Sequence, residues 1–436
     1  MSPVIIAGLI LLILLIGIVV LLFIGVPVAV AVGTSSFVAL AYVIGPETAS
    51  FVGALRLFTC INSFTLLAIP FFVLAGELMN TGGIAARLVD AAKVLVGRMP
   101  ASLAQTDVVA NALFGSVSGA AVASAAVGTV MGPRQRAEGY DRGFSAAVNA
   151  ASAAAGMLLP PSNTLIVYSL VSSTSIATLF MAGYGPGLLR ALACMVVVFL
   201  YSRKHRIGGG EGVPLRVVGV TLFRALLPLL MIVIVIGGIL TGVFTPTESA
   251  VIAVLYSLAL GMAYRMISLR QLPGILLSAT KTTSIVMLLV GVATIMSWVM
   301  SDSQIPQLIA EAMLGITESP TLILLLILVL LVTVGTFLDP TSAILIFTPI
   351  FLPIVVEFGV DPIHLGLIVV FALSLGTITP PVGNVLFVSA KVAGLRIEPV
   401  IAALVPFFIA LLMGLVIVSF LPALSLWLPD MLGLLE

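Results

Sequence analysis

Charge is what this chain has least of. Among 436 residues, Lys and Arg number 18 and Asp and Glu 17, so 8% of residues are charged while 61% are apolar. A water-soluble domain carries roughly 25% charged residues, because its surface has to be solvated. So few charges cannot cover a globule of this size. The scarcity excludes a soluble protein and leaves the bilayer as solvent for most of the surface, as the mean hydropathy of +1.32 also implies. Cysteine and histidine are scarce too, at two each. Cys60 and Cys194 lie far apart in apolar contexts, which suggests neither a disulfide framework nor a metal site. No run of His, Cys or carboxylates offers transition-metal ligands, and a net charge of +1 gives no sign of a nucleic-acid partner.

Apolar runs are abundant. A spanning helix takes about 20 apolar residues, and clear spans lie at 5–24, 28–44, 66–79, 188–200, 226–243, 250–266, 285–300 and 401–421. The first lacks the basic flank and small-residue cleavage site of a signal peptide and reads as a span. Two further regions, 102–182 and 320–394, are apolar enough for the membrane, yet Gly, Pro, Ser and Thr interrupt them at mid-depth. Irregular backbone at that depth survives only where protein buries it or where it lines a cavity. That is the first pointer to function.

The two interrupted regions match each other. The first holds GSVSG from Gly115 and GMLLPPSN from Gly156; the second holds GTFLDPTS from Gly335 and GTITPPVGN from Gly376. Both pairs are separated by 41 residues, and Pro160-Pro161 and Pro380-Pro381 stand 220 residues apart. Each region reads as an apolar stretch, a glycine break, a second apolar stretch, a polar linker and a helix broken at a double proline. The spacing predicts an internal repeat.

Charge placement orients the two copies, since Lys and Arg collect on the cytoplasmic side. Linkers of the first carry Arg87, Lys93, Arg98, Arg134, Arg136 and Arg142. Those of the second carry Asp302, Glu311, Glu318, Glu357 and Asp361, with no Lys or Arg between Ser301 and Lys391. The first hairpin therefore dips in from the cytoplasm and the second from the opposite face. Inverted repeats whose broken helices meet at the midplane are an architecture of secondary transporters. The expected fold is an all-α integral membrane protein with about ten to eleven transmembrane helices and two re-entrant hairpins in inverted repeats. Its expected segments are N-terminal scaffold helices and an interfacial arm over 1–100, a first repeat over 101–182, scaffold helices over 183–300, a second repeat over 301–396 and a C-terminal helix over 397–436.

Breaking a helix frees carbonyls at one half-helix end and N–H groups at the other. Freed carbonyls suit a small hard cation, and a half-helix N-terminus attracts a carboxylate. Proline removes a donor and makes the break permanent. Gly115, Gly119, Gly156, Gly335 and Gly376 allow close approach, and Ser116, Ser118, Ser162, Asn163, Thr379 and Asn384 place neutral polar groups beside the breaks. Asp339 is the one acid at an expected hairpin tip. An intramembrane carboxylate is a functional candidate, and Asp339 also reads as a helix N-cap ahead of Pro340. His205 belongs to a basic loop, while His364 follows Asp361-Pro362 as a helix-start residue or a proton-linked group. Glu77 reads as interfacial, Trp298 and Trp427 as interface anchors, and Arg56 as an outward residue that pairs with Glu47 or faces a partner protein.

Several segments carry a resemblance: LLAIPFFVLAGELMNTGGIAARL, EGYDRGFSAAVNAASAAAGMLLPPSN and the long stretch from DPTSAILIFTP through LGTITPPVGNVLFVSAKVAG. Together they resemble the large membrane subunit of tripartite ATP-independent periplasmic transporters, from about Val26 to Pro422. The resemblance implies an elevator-type, sodium-driven symporter of the bacterial inner membrane that takes up organic acids, such as C4-dicarboxylates, sialic acid and other sugar acids. It also implies two partners, a small four-helix membrane subunit and a periplasmic substrate-binding protein. Carried over by position, one Na⁺ would be held at Ser116, Gly119, Gly156, Leu159 and Pro161, and a second at Gly335, Gly376, Thr379 and Val382. Asp339, Ser116 and Ser118 would lie near the substrate carboxylate. This chain departs from the family pattern at Ser124, where an acid is common, and in reading PPSNT rather than PPSIP.

Other classes fit less well. A self-sufficient ion-coupled carboxylate transporter with similar hairpins is the alternative. An enzyme is disfavoured, because the serines of GSVSG have no buried His or Lys base within their repeat and a serine without a base is a poor nucleophile. A channel is disfavoured because dead-end hairpins from both faces suit occlusion.

Overall fold

The computed structural model describes residues 3–81, 83–118, 120–209, 215–305, 307–309, 311, 319–380 and 383–435. Among the described residues there is no β-strand, only one isolated bridge between Pro100 and Gly209. Helices α1 (Pro3–Phe23), α2 (Val28–Ile44), α3 (Pro46–Ile61), α4 (Ala68–Thr81) and α5 (Ile84–Val96) precede the first hairpin, α6 (Ser102–Ser118) and α7 (Ala120–Ala137). The first broken helix follows as α8 (Arg142–Ala153), a short 3₁₀ turn and α9 (Asn163–Ser172). Then come α10 (Ile176–His205), α11 (Leu215–Leu240), α12 (Pro246–Ala263) and α13 (Leu272–Asp302). The second hairpin is α14 (Pro320–Gly335) with α15 (Pro340–Glu357), and the second broken helix is α16 (Pro362–Gly376) with α17 (Asn384–Ala393). Helices α18 (Ile397–Phe420) and α19 (Ala423–Met431) complete the chain.

The repeat seen in the sequence is a repeat of elements. Helices α7 and α15 each have 18 residues, and α9 and α17 each have 10. Asp141 caps α8 by accepting the Phe144 N–H at 2.7 Å, and Asp361, 220 residues on, caps α16 through the Ile363 N–H at 2.7 Å. A cap of this kind is worth about 1 kcal/mol and sets where each broken helix enters the membrane. Within each repeat the hairpin packs on the first half-helix, but the second half-helix crosses over. Helix α9 packs on α15 of the other hairpin, and α17 packs on α7. The Tyr168 hydroxyl of α9 donates to the carbonyl of Pro362 at 2.6 Å, and Arg142 at the head of α8 donates to the carbonyl of Ala393, the last residue of α17, at 2.6 Å. A reciprocal exchange of this kind is what a two-fold axis in the membrane plane produces.

Among the described residues six helices are long and apolar enough to cross a membrane on their own, or seven with α4 and α5 counted as one bent span. This is fewer than the expected spans because α2, α14 and the broken-helix halves α9, α16 and α17 are apolar but too short to qualify singly, as is the stretch Ala225–Leu240 of α11. The expected segment boundaries near 100 and 396 fall between helices. Those at 182 and 300 fall inside the continuous α10 and α13. Gly183, Gly185, Pro186 and Gly187 do not interrupt α10; a Cβ at Gly183 or Gly187 would collide with Leu158 or Leu159, so these residues let α10 lie against the first break. The remaining frame packs as α1 on α2, α2 on α13 and α4 on α12. The turn before α12 is a capping box, with the Glu248 N–H donating to Thr245 Oγ1 at 3.3 Å and the Thr245 N–H donating to the Glu248 carboxylate at 2.7 Å.

Exposed residues at the two hairpin bases test the inversion. In a background without Cys60 and Cys194, Arg136→Cys should react with a membrane-impermeant thiol reagent only from the cytoplasm, and Glu357→Cys only from outside. Labelling of both from one face would mean that the hairpins enter from the same side.

Candidate functional site

The 41-residue spacing has a physical meaning. A Cβ on Gly156 would run into the backbone of Gly115, and a Cβ on Gly376 into the backbone of Gly335. In each repeat the hairpin glycine and the break glycine meet main chain to main chain, and only glycine permits that approach. The second pair is also joined across the break, where the Gly383 N–H donates to the carbonyl of Thr336 at 3.3 Å. Each break is thereby lidded by its own hairpin.

The polar groups at the first break divide into used and unused. Ser162 caps α9 and its hydroxyl also donates to the Met157 carbonyl at 2.5 Å, where Thr164 Oγ1 joins it at 2.9 Å. The Ala155 carbonyl accepts the N–H groups of Leu158 and Leu159, both at 3.1 Å. Among the described residues no hydrogen-bond donor is recorded on the carbonyls of Gly156, Leu159 or Pro161. Three expected oxygen ligands thus stand uncovered beside a buried turn. Asn163 begins α9 half-buried, at a half-helix N-terminus.

At the second break the Gly376 carbonyl already accepts the Thr379 N–H at 3.0 Å, which leaves it one further lone pair, and the Thr379 hydroxyl donates to Leu375 at 2.7 Å. Asn384 begins α17 and is exposed. Asp339 caps α15, accepting the Thr341 N–H at 3.0 Å, and its side chain is exposed. The capping reading holds. Gly335 ends α14, and Ser116 and Ser118 lie in the last turn of α6. Gly119 and Val382 lie outside the described residues.

Next to the second hairpin is a cavity of about 580 Å³, walled by α3, α9, α13 and α15. Its lining includes Thr59, Ser63, Thr294, Ser297, Leu345 and one charged side chain, Arg56. Leu345 is six residues past Asp339 along α15, about 9 Å at the helical rise. Arg56 does not pair with Glu47: its guanidinium lies 5.7 Å from the centroid of the Trp298 ring. His364 does begin a helix, and its imidazole Nε2 lies 3.3 Å from the Ser419 carbonyl.

Two buried ionisable residues escaped the sequence reading. Asp107 of α6 is 1% exposed; its two oxygens accept from Asn111 at 3.0 Å and Gln135 at 3.1 Å. Asn111 continues to Asn149 at 3.0 Å, and Asn149 to Ser389 of α17 at 3.2 Å, so the network ties the first hairpin to the crossed-over half-helix. Arg190 of α10 is fully buried between the two broken helices and bonds Ser374 and Ala151. Among the described residues the one ion pair lies elsewhere, between Arg134 and Asp90. The signal was available: an ionisable residue inside an apolar run is a functional candidate by default.

Comparison with known proteins comes to the same architecture. Residues 15–424 match the family model described as the DctM component of the tripartite ATP-independent periplasmic transporter. The chain is 51% identical over 93% of its length to the uncharacterized protein YgiK of Salmonella typhimurium, covering 94% of that protein. It is 41% identical to the C4-dicarboxylate TRAP transporter large permease protein DctM of Pseudomonas aeruginosa (87% of this chain, 90% of that one). It is 37% identical to the sialic acid TRAP transporter large permease protein SiaM of Vibrio cholerae (91% and 93%). The crystal structure of the YdaH transporter of Alcanivorax borkumensis superposes with a TM-score of 0.64 at 14% identity, over 89% of this chain and 90% of that one, a likeness of fold.

The glycine contacts set a sharp test. Gly156→Ala and Gly376→Ala should each destabilise the detergent-solubilised protein by about 1–3 kcal/mol through overpacking and abolish transport. Gly132→Ala, whose Cβ would meet nothing within 4 Å, should stay within about 0.5 kcal/mol of wild type. Thermal unfolding of the three variants decides; equal stability of all three would mean that the tips do not close on the breaks.

Proposed function

We propose a function from one premise: the chain belongs to the DctM component family of tripartite ATP-independent periplasmic transporters. It is an integral protein of the inner membrane and not an enzyme. In our reading it is the substrate-translocating subunit of a sodium-coupled uptake system for a small organic acid. The observation that carries this is the pair of lidded breaks, where carbonyls with a lone pair to spare and a half-helix N-terminus lie a few residues apart. Carbonyl oxygens at Gly156, Leu159 and Pro161, and at Gly335, Gly376, Thr379 and Val382, would supply hard-cation ligands, with Ser116 and Gly119 completing the first set. The N-termini of α9 and α17, with Ser162, Asn163 and Asn384, would favour the substrate carboxylate, and Ser116, Ser118 and Asp339 would border it.

The substrate class follows from chemistry and kinship. The cavity beside the second hairpin has the size for a small acid, and its one charged lining residue, Arg56, has the sign that attracts an anion. A C4-dicarboxylate or a sugar acid such as sialic acid fits that description, and relatives that share the fold carry those names. The hairpins and broken helices would move as an elevator against the frame of α1, α2, α4, α12 and α13. The expected segmentation assigns 101–182 and 301–396 to the moving body. A tripartite system also requires a small membrane subunit and a periplasmic binding protein to deliver substrate.

Uptake into proteoliposomes carrying this chain, the small subunit and the binding protein should require an inward Na⁺ gradient. Equal uptake driven by a pH gradient without Na⁺ would overturn the coupling ion, and robust uptake by this chain alone would make it a self-sufficient carboxylate transporter. Asp339→Asn separates cap from site. Asn caps as well as Asp, so a purely structural Asp339 leaves Na⁺ dependence unchanged; a site carboxylate raises the Na⁺ concentration needed for half-maximal uptake.

A further inference from the structure

Among the described residues Arg190 is the largest fully buried side chain. Its guanidinium donates to Ser374 Oγ of α16 at 2.7 Å and to the Ala151 carbonyl of α8 at 3.4 Å, and it lies 5.3 Å from the centroid of Phe371 on α16. Ala151 and Phe371 are 220 residues apart, the interval that relates the two repeats. One arginine therefore touches equivalent positions of both broken helices, although the position equivalent to its own in the second repeat is Ala410. Helix α10 supplies the charge and α18 supplies none there.

The places it touches matter. Ala151 is in the last turn of α8, and Ser374 is in the last turn of α16, two residues before Gly376. A helix C-terminus carries about half a negative charge on its unpaired carbonyls. Two such ends converge within reach of one unit positive charge, and no acid pairs with it among the described residues. Ser374 passes the contact on, since its own carbonyl accepts the Thr377 hydroxyl at 2.8 Å and the Thr377 carbonyl accepts the Val385 N–H at 3.1 Å across the break. A burial this complete is costly for a guanidinium, and its Nε–H has no partner.

We propose that Arg190 is a positioning residue that couples the two breaks, holding the last turns of α8 and α16 at a fixed separation so that cation occupancy at one break sets the geometry of the other. This rests on the reading that the breaks are the Na⁺ sites. The planar fork is essential to it, because a lysine ammonium keeps the charge but cannot span both partners in fixed geometry.

The test uses the reconstituted three-component system and two variants. Ser374→Ala keeps the arginine and removes only its bond to α16; Arg190→Lys keeps the charge and removes the fork. In both, the Na⁺ dependence of uptake should lose its sigmoidal shape, with half-maximal Na⁺ raised about 5-fold or more, while substrate KM at saturating Na⁺ stays that of wild type. Na⁺-induced thermal stabilisation of the purified chain should lose cooperativity in parallel. If Arg190→Lys does not fold, Ser374→Ala alone decides. Wild-type Na⁺ cooperativity in a folded Ser374→Ala protein overturns the coupling role and leaves the Na⁺ reading standing. A wild-type protein that shows no Na⁺ dependence overturns the Na⁺ reading, and the coupling with it.

Discussion

The structure depends on closing a broken helix in a medium that solvates nothing. Each unpaired peptide group in hydrocarbon costs several kcal/mol, so a break at mid-membrane has to be covered by protein backbone. The cover is a glycine on glycine contact, Gly115 on Gly156 and Gly335 on Gly376. Everything around it serves that approach. The hairpins bring the tip to the break, the double prolines keep the break from healing into a continuous helix, and α10 leans in through Gly183 and Gly187. Cover is incomplete at the first break, where the carbonyls of Gly156, Leu159 and Pro161 receive no protein donor among the described residues.

Much of this was legible because glycine and proline mark backbone events directly. The 41-residue interval and the twin Pro-Pro steps encode a contact that recurs, and the reversal of linker charge encodes its inversion. Capping by Asp339 was legible for the same reason: an acid before a proline has a local meaning. What stayed hidden was encoded in single side chains whose partners are far away in sequence. Arg190 sits in a stretch that hydropathy scores as an ordinary span, and its partners are 39 and 184 residues distant. Asp107 sits in a region whose irregular composition drew attention to its glycines instead. Arg56 found a tryptophan on α13 rather than the acid near it in sequence, because an aromatic face offers a cation favourable contact without an acid.

The two polar ties between the repeats have different characters. Asp107, Asn111, Asn149 and Ser389 form a chain of neutral donors around one acid, and this chain joins the first hairpin to α17. Arg190 joins the last turns of α8 and α16 nearer the breaks. The first tie lies within the hairpins and broken helices, the second is made from α10, and both oppose separation of the repeats. The frame has polar ties of its own, such as the Tyr256 hydroxyl donating to the Leu227 carbonyl at 2.7 Å and the Thr247 hydroxyl donating to the Phe64 carbonyl at 3.1 Å.

The crossing of α9 and α17 has a consequence for how the protein is made. Helix α9 leaves the ribosome as residues 163–172, but the hairpin helix it packs on begins at residue 340. At about 5–20 residues per second, that partner follows roughly 8–34 s later. Through that interval the first break has its own tip glycine but lacks its outer wall, so an assembly intermediate with a half-built interior is intrinsic to the connectivity. The first repeat cannot mature alone. Its completion waits on the synthesis of the second.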